Sequence, residues 1–425
     1  SAQAARAGVV YVASNDGMLH AFNSQTGEEL WAFVPPDVMP NLYKLADDSY
    51  ANNHQFFVDA SPLAADAFID GAWKTILVGG FGKGGRSYYA LDITDPTGPK
   101  ALWNFAENDM GYSFGNPIVT KLGVSGQWVV VLPSGYNNVS PGDGEGHLWV
   151  LDAGTGALVR KIDTNSGSTG SPAGLAHLSN WVQNGSVDNS TQHVYGGDLD
   201  GKVWKFDIVS GAATLVANFG SSQPITAAIE LGLIDAHRVL FFGTGRYLGQ
   251  TDTGSTADQA IYAIKDQLGD SSQPKNNLVK QELQAIGLDT ARRTTTTNEV
   301  NWATNDGWYI DLPDEGERVT LPAVLQVGTL IAVSNVPTAT ACSPGGYSWV
   351  YNLDPRSGSF VASGSNVMAG TKYQNITVGF NVVKVGERVI IYRTGHRDPV
   401  PQPIDAIIQV GSGGGVRINW REIVE

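Results

Sequence analysis

An all-β chain built from repeated blades is what this sequence predicts, and three observations predict it. The pattern Phe/Leu-Asn/Asp-x-x-Thr/Ser-Gly occurs four times, at Phe22 to Gly27, Leu151 to Gly156, Phe206 to Gly211 and Leu353 to Gly358. Each copy follows a β-patterned run and a Gly-rich turn, as in the stretch from Val9 through Asn15-Asp16-Gly17 to Phe22. Composition agrees: 51 Gly and 20 Pro in 425 residues exceed what helices tolerate, and Val, Ile, Thr, Tyr and Trp fill the runs between them. Strand, tight turn, strand, tight turn is how one propeller blade is written.

Taken in chain order, repeat units fall at 9–35, 75–105, 128–163, 193–218, 238–266, 308–362 and 378–395. They predict a modified β-propeller of about seven blades with loop insertions, six or eight also fitting. Asn23, Asp92, Asp152 and Asp207 are 69, 60 and 55 residues apart, more than the 40–45 or so of a minimal blade, so the surplus is placed in loops. Asn15-Asp16-Gly17, Asp200-Gly201 and Asn305-Asp306-Gly307 supply the positive φ that tight hairpins need. Trp31, Trp103 and Trp204 lie in or just after blade strands, where a broad ring covers the seam between neighbouring sheets; sugar stacking is the sharper alternative.

Three segments break the rhythm: 36–58, with Pro35-Pro36 and Pro40 around the amphipathic Leu42-Tyr43-Lys44-Leu45; 266–303, polar, with a helical Asn277 to Ile286; and 397–425. The division expected is a propeller domain over 1–396 and a C-terminal tail over 397–425, packed or partly flexible, with Gly411 to Gly415 as a joint. Segments 36–58 and 266–303 are the expected contact surfaces, because insertions are freest to vary and to reach another molecule.

A formal charge of −14 opposes nucleic-acid binding and anionic membrane surfaces. No stretch of about 18 apolar residues occurs, so no transmembrane segment is expected. The opening Ser1-Ala2-Gln3-Ala4-Ala5-Arg6 lacks the apolar core of a signal peptide, so the chain is read as a mature domain or a piece of a longer one. The single cysteine, Cys342, makes no internal disulfide; it is a small turn residue or a reactive thiol, and the redox compartment stays open.

Catalytic signals are few. Gly80-Phe81-Gly82-Lys83-Gly84-Gly85 satisfies G-x-G-x-x-G after the strand Thr75 to Val78, but Ser87 to Leu91 continues as a strand, where a phosphate cradle needs a helix N-terminus. It reads as a Gly-rich hairpin, with Lys83 and Arg86 as exposed loop charges. His20, His54, His147, His177, His193, His237 and His396 show no zinc spacing, and there is no G-x-S-x-G elbow or Walker lysine. No catalytic residue is assigned.

The block Val194-Tyr195-Gly196-Gly197-Asp198-Leu199-Asp200-Gly201-Lys202-Val203-Trp204-Lys205-Phe206-Asp207 closely resembles the C-terminal domain of the PilC/PilY family of type IV pilus biogenesis and tip-adhesin proteins. Val58 to Pro62, Thr75 to Asp92, Tyr112 to Pro117, Pro224 to Ala227, Phe242 to Leu248 and Gly345 to Trp349 extend the likeness over most of the chain. The resemblance implies a modified propeller with a Ca²⁺ loop similar to D-x-N-x-D-G-x-x-D just before that block. Asn184, Ser186, Asp188, the Ser190 carbonyl and Gln192 fall at its ligand positions. Only Asp188 is a carboxylate, Asn189 stands in place of the loop glycine, and Gln192 in place of the last acid. Calcium is thus the one cofactor implied, bound weakly or not at all, since Ca²⁺ draws its affinity from six to eight oxygens, mostly negative ones.

The same resemblance implies a longer parent chain with a further N-terminal region, and a non-enzymatic role in pilus extension, twitching motility and surface attachment. Minor pilins and host or surface ligands are the implied partners, at the pilus tip or outer cell surface after a periplasmic stage. Two other readings stand beside it. The repeat phrase from Ala13 to Trp31 is also similar to quinoprotein dehydrogenases, which pair adjacent cysteines beside pyrroloquinoline quinone, whereas Cys342 stands alone. A periplasmic assembly scaffold would use the same repeats for partner binding.

Overall fold

The computed structural model describes residues 6, 8–184, 188–338, 345–385, 388–408 and 416–417. Cys342 and the Gly411 to Gly415 joint lie outside the described residues. The chain divides into two compact units, one of Ser1–Val194 with Phe206–Ala213 and the other of Tyr195–Lys205 with Thr214–Glu425. It passes from one to the other within the strands Asp188–Gly197, Lys202–Asp207 and Ala212–Asn218.

In the first unit three antiparallel meanders follow in order. They are Val9–Ala13, Leu19–Asn23 and Glu29–Phe33; then Leu63–Ile69, Ala72–Gly80, Tyr88–Asp92 and Lys100–Phe105; then Ile118–Leu122, Gln127–Pro133, Glu145–Asp152 and Leu158–Gly167. In the third meander the central strands carry unbroken apolar runs because both faces are buried. Val129 to Leu132 and Leu148 to Leu151 are fully inaccessible, each such side chain contributing about 1.5–3 kcal/mol relative to exposure.

The second unit repeats the scheme. Glu230–Ile234, His237–Gly243, Ala260–Lys265 and Gly307–Asp311 form one sheet, and Val324–Gln326, Thr329–Thr338, Gly345–Leu353 and Gly370–Tyr373 another. Thr377–Val385, Arg388–Gly395 and Gln402–Asp405 form a third, so residues 402–405 of the expected tail add a strand to it. Trp308, Phe241, Ile310, Leu330 and Tyr351 fill the largest core of this unit.

The four copies of the opening pattern are four copies of one turn. Asn23 Oδ1 accepts from the amides of Gln25 and Thr26 at 2.9 and 3.1 Å, and Gly27 N donates to Asn23 O. Asp152 and Asp207 do the same with Gly154 and Thr155, and with Val209 and Ser210, while Asp354 Oδ1 accepts from Arg356 N at 2.8 Å. The closing Gly27, Gly156, Gly211 and Gly358 have φ of 73°, 70°, 88° and 73°, the left-handed region that excludes most side chains.

The tryptophans explain part of the pattern's other half. Trp31 Nε1 donates to Pro96 O, in the turn after Asp92, at 2.8 Å, and Trp103 Nε1 to Ala153 O at 3.0 Å. Each indole therefore caps a turn in the following meander, as expected for a ring at a seam. Trp204 departs from this: its Nε1 donates to Asp198 Oδ2 at 2.8 Å. Asp198 is fully buried and also accepts from the amides of Asp200 and Lys202, so the Asp-Leu-Asp-Gly-Lys hairpin is closed around one carboxylate.

The expected helix from Asn277 to Ile286 is corrected to two short strands, Leu278–Gln281 and Leu283–Ile286. The first runs parallel to Gly307–Asp311 and the second antiparallel to Asp289–Thr295, so the chain changes sheet at Glu282. Strand pairing, with Gly307–Asp311 for the first and in a tight hairpin with Asp289–Thr295 for the second, outweighs the helical propensity of Lys280, Gln281, Glu282 and Ala285.

Candidate functional site

The residues at the calcium-loop positions lie on a pair of strands, Leu178–Asn184 and Asp188–Gly197. Asn184 ends the first; Ser186 falls outside the described residues. In the second, the alternating positions Asp188, Ser190 and Gln192 share a face. At about 3.3 Å per residue their Cα atoms are roughly 6.6 Å apart along an extended run, not a loop that wraps an ion.

Their partners point elsewhere as well. The Asp188 carboxylate is ion-paired with the Lys121 ammonium, which with hydrogen bonds from Ser190 holds it below the usual carboxylate range. Ser190 is in parallel register with Lys121. Gln192 Nε2 donates to Asp207 Oδ2 at 3.1 Å, and Gln192 O accepts from Ile208 N. The described donors therefore do not fit a hard cation: one carboxylate, already neutralised by an ammonium, stands on an extended strand.

The insertion 36–58 does build a concave surface. Pro36 starts the 3-10 helix Pro36–Ala46, Asp37 and Lys44 complement its two ends, and Pro40 within it removes a backbone donor an α-helix would need. Val38 is buried, and Leu42 and Leu45 pack with Phe57 and Val58, leaving Met39 55% and Tyr43 70% exposed. Gly17 is required here, since an added Cβ would lie 2.2 Å from Leu42 Cδ2 at a φ of 93°. The helix walls a cleft of about 330 Å³ whose lining includes Asp37, His54, Phe56, Lys83 and Tyr112.

The Gly80 to Gly85 hairpin forms the opposite wall, with the Lys83 ammonium 4.8 Å from the Phe56 ring centroid. Lys83 is exposed as expected. Arg86 is not free: it donates to Ser140 O and Pro141 O at 3.0 and 3.2 Å and lies over the Tyr112 ring.

In the second unit a cleft of about 520 Å³ is lined by Phe219, Gln223, Asp258, Ser272 and Lys275 among others. Within the rest of 266–303, Gln281, Arg293, Thr295 and Trp302 reach into the core, while Leu288 is fully exposed. Gln281, fully buried, donates to Asn298 O and Ser357 O and accepts from Thr296 and from Asn298 N. Arg293, 5% exposed, pairs with Glu317 and Asp314 at 2.9 and 2.5 Å and lies 3.7 Å from the Trp349 ring centroid.

One constellation escaped the sequence reading. His147, 1% exposed, lies with Nδ1 2.6 Å from Asp163 Oδ1 and Nε2 2.9 Å from Asp143 Oδ1, and Asp109 is beside them. Asp143-x-x-x-His147 in an acidic Gly loop was the available signal; the opposite partner, Asp163, comes from strand register, which pairs it with His147.

The sequence profile of the PilY1 beta-propeller domain matches residues 1–214. The type IV pilus biogenesis factor PilY1 of Pseudomonas aeruginosa PAO1 is 34% identical over 420 residues, taking in 84% of this chain and 35% of that protein. A homolog of PilY1 from Xylella fastidiosa is 32% identical over 438 residues, 92% of this chain and 29% of its own length. The crystal structure of the P. aeruginosa PilY1 C-terminal domain superimposes with a TM-score of 0.73 at 27% identity, covering 95% of this chain and 94% of that one. The fold class is thus the modified β-propeller that the repeats predict. The chain spans about a third of the length of the curated relatives it matches. Among the described residues no helix is long and apolar enough to cross a membrane.

Proposed function

Because the chain belongs to the PilY1 family of type IV pilus biogenesis factors, we propose that it acts as a non-enzymatic propeller domain of the pilus machinery. In this role it supports pilus extension, twitching motility and attachment to surfaces. The observation that carries the reading is likeness to the PilY1 C-terminal domain along 95% of the chain. The polar groups of the repeat turns fit this role, because they are spent on holding backbone, as Asp152 and Trp103 are, and not on a reaction centre.

The domain offers partners a stiff frame with a concave edge at 36–58, where Met39, Tyr43 and Phe56 present apolar surface beside Lys83 and Asp37. Minor pilins are the partners assigned to the assembly stage in the periplasm, and host or abiotic surfaces to the stage at the pilus tip. The strand Asp188–Gly197 works without calcium, its only acid at the ligand positions being neutralised by Lys121.

Deleting the coding region for residues 1–425 in the native host should abolish surface pili and twitching. An epitope placed in the chain should be labelled on intact cells. Unchanged piliation and motility would refute the reading; labelling that needs permeabilised outer membranes would restrict the domain to a periplasmic scaffold.

A further inference from the structure

The cluster around His147 shares no residue with the lining of the cleft at 36–58 or with the calcium-loop positions. A ring nitrogen of His147 and carboxylate oxygens of Asp109 and Asp143 all lie within 4.8 Å of one another, and Nε2 is the nitrogen that faces Asp143. A divalent ion bound at about 2.0–2.2 Å from each donor keeps its ligand atoms within about 4.4 Å of one another, so small side-chain rotations close the triad. Behind it, His147 Nδ1 is 2.6 Å from Asp163 Oδ1, the arrangement in which a carboxylate orients a metal-binding imidazole and raises its basicity.

A second observation comes from Asn138. It is fully buried, and its Nδ2 donates to Asp109 O at 3.0 Å and Glu145 O at 2.8 Å, which places the amide between the segments carrying Asp109 and Asp143. Its Oδ1 is buried and has no hydrogen-bond donor. A buried acceptor left in this state calls for an electropositive neighbour.

We propose that Asp109, Asp143 and His147 form a binding site for a divalent cation of the zinc type, with Asn138 tying together the backbone segments that carry the two acids and Asp163 as the positioning carboxylate. An imidazole nitrogen with two carboxylates suits zinc and its first-row neighbours, whereas calcium wants six to eight oxygens. Lys161 is the built-in competitor. Its ammonium is 2.7 Å from Asp109 Oδ2 and 3.5 Å from Asp163 Oδ1, so the incoming ion displaces one positive charge from Asp109.

Calorimetry of the 425-residue chain with Zn²⁺, and separately with Ca²⁺, tests this. One Zn²⁺ per chain with little response to Ca²⁺ is the expected result. Asp109→Asn and His147→Gln should each weaken Zn²⁺ binding by about tenfold or more, Asp163→Asn by about tenfold, and Lys161→Gln should tighten it. Circular dichroism melts check that the variants fold, and the half-buried Asp109→Asn keeps the test valid if His147→Gln does not. Absence of stoichiometric Zn²⁺ uptake by the wild-type chain, or Asp109→Asn binding as tightly as wild type, would overturn the proposal.

Discussion

The turn from Leu151 to Gly156 and the segment 266–303 satisfy their polar groups by opposite means. The turn is self-contained: Asp152 Oδ1 accepts from Gly154 and Thr155, and Gly156 supplies the positive φ. The segment depends on residues far along the chain, Gln281 on Ser357 and Arg293 on Glu317 and Tyr351. Local turns can be repeated wherever the chain reverses; the long-range solution is built once and fails as a unit.

The largest predicted effect breaks that unit. Glu317, 1% exposed, also accepts from Ser334 Oγ and Tyr351 at 2.5 and 2.7 Å, so removing Arg293 leaves a buried carboxylate without its cation. Arg293→Ala should destabilise the chain by about 3–5 kcal/mol in urea unfolding. A loss below about 1 kcal/mol would mean that 266–303 is a loop laid on the surface after all.

Next comes a contrast among aspartates. Burial opposes the charge on Asp152, but hydrogen bonds from Gln127, Thr155 and Gly154 outweigh it and hold the carboxyl below the usual range. At Asp198 burial wins over the bonds from Trp204 and Lys202 and pushes the carboxyl from 3.8 to about 6. The folded chain then keeps that proton up to about pH 6, where the unfolded chain has lost it near 4. Asp198 therefore contributes stability below pH 4 that is lost as pH rises through 6, worth about 3 kcal/mol. Asp152 runs the other way, its contribution vanishing as pH falls through its depressed value. Unfolding midpoints of Asp198→Asn relative to wild type between pH 4 and 7 check the sign; a pH-independent difference would sink it.

A smaller effect tests the turn itself. An added Cβ at Gly156 would lie 2.6 Å from Trp103 Cγ, whereas at Gly27, with a nearly identical φ, it meets nothing within 4 Å. Gly27→Ala should cost about 1 kcal/mol for the left-handed backbone alone, and Gly156→Ala about 2 kcal/mol or more because the indole must also move. Equal costs in thermal melts would remove the tryptophan from the account of the repeat.

The same contrast decides what could be read from the sequence. The repeat turns were legible because their donors and acceptors lie within six residues, so a six-residue pattern carries the whole arrangement from Asn23 to Gly27. Trp31 and Trp103 were legible as seam residues for their size and place. Trp204 was not, because its partner Asp198 is set by a hairpin closing on itself. The strands at 278–281 and 283–286 read as a helix since nothing local announces Gly307 as the partner of the first, although the second turns back on Asp289 directly after Gly287. His147 passed as one of seven scattered histidines, because only cross-strand register brings Asp163 opposite it and only folding brings Asp109.

The smallest expected change in stability is aimed at the other insertion. Met39 and Tyr43 project from the 3-10 helix Pro36–Ala46, while Val38 and Leu42 anchor it. Met39→Ser combined with Tyr43→Ser removes apolar surface that touches little of the core, so the unfolding free energy should move by no more than about 0.5 kcal/mol. Twitching zones of a host carrying the pair should nonetheless shrink sharply, because exposed apolar side chains beside a cleft serve contact and not packing. Wild-type twitching by a normally folded double variant would move the docking surface away from 36–58. The 520 Å³ cleft lined by Phe219 and Lys275 among others would then take its role.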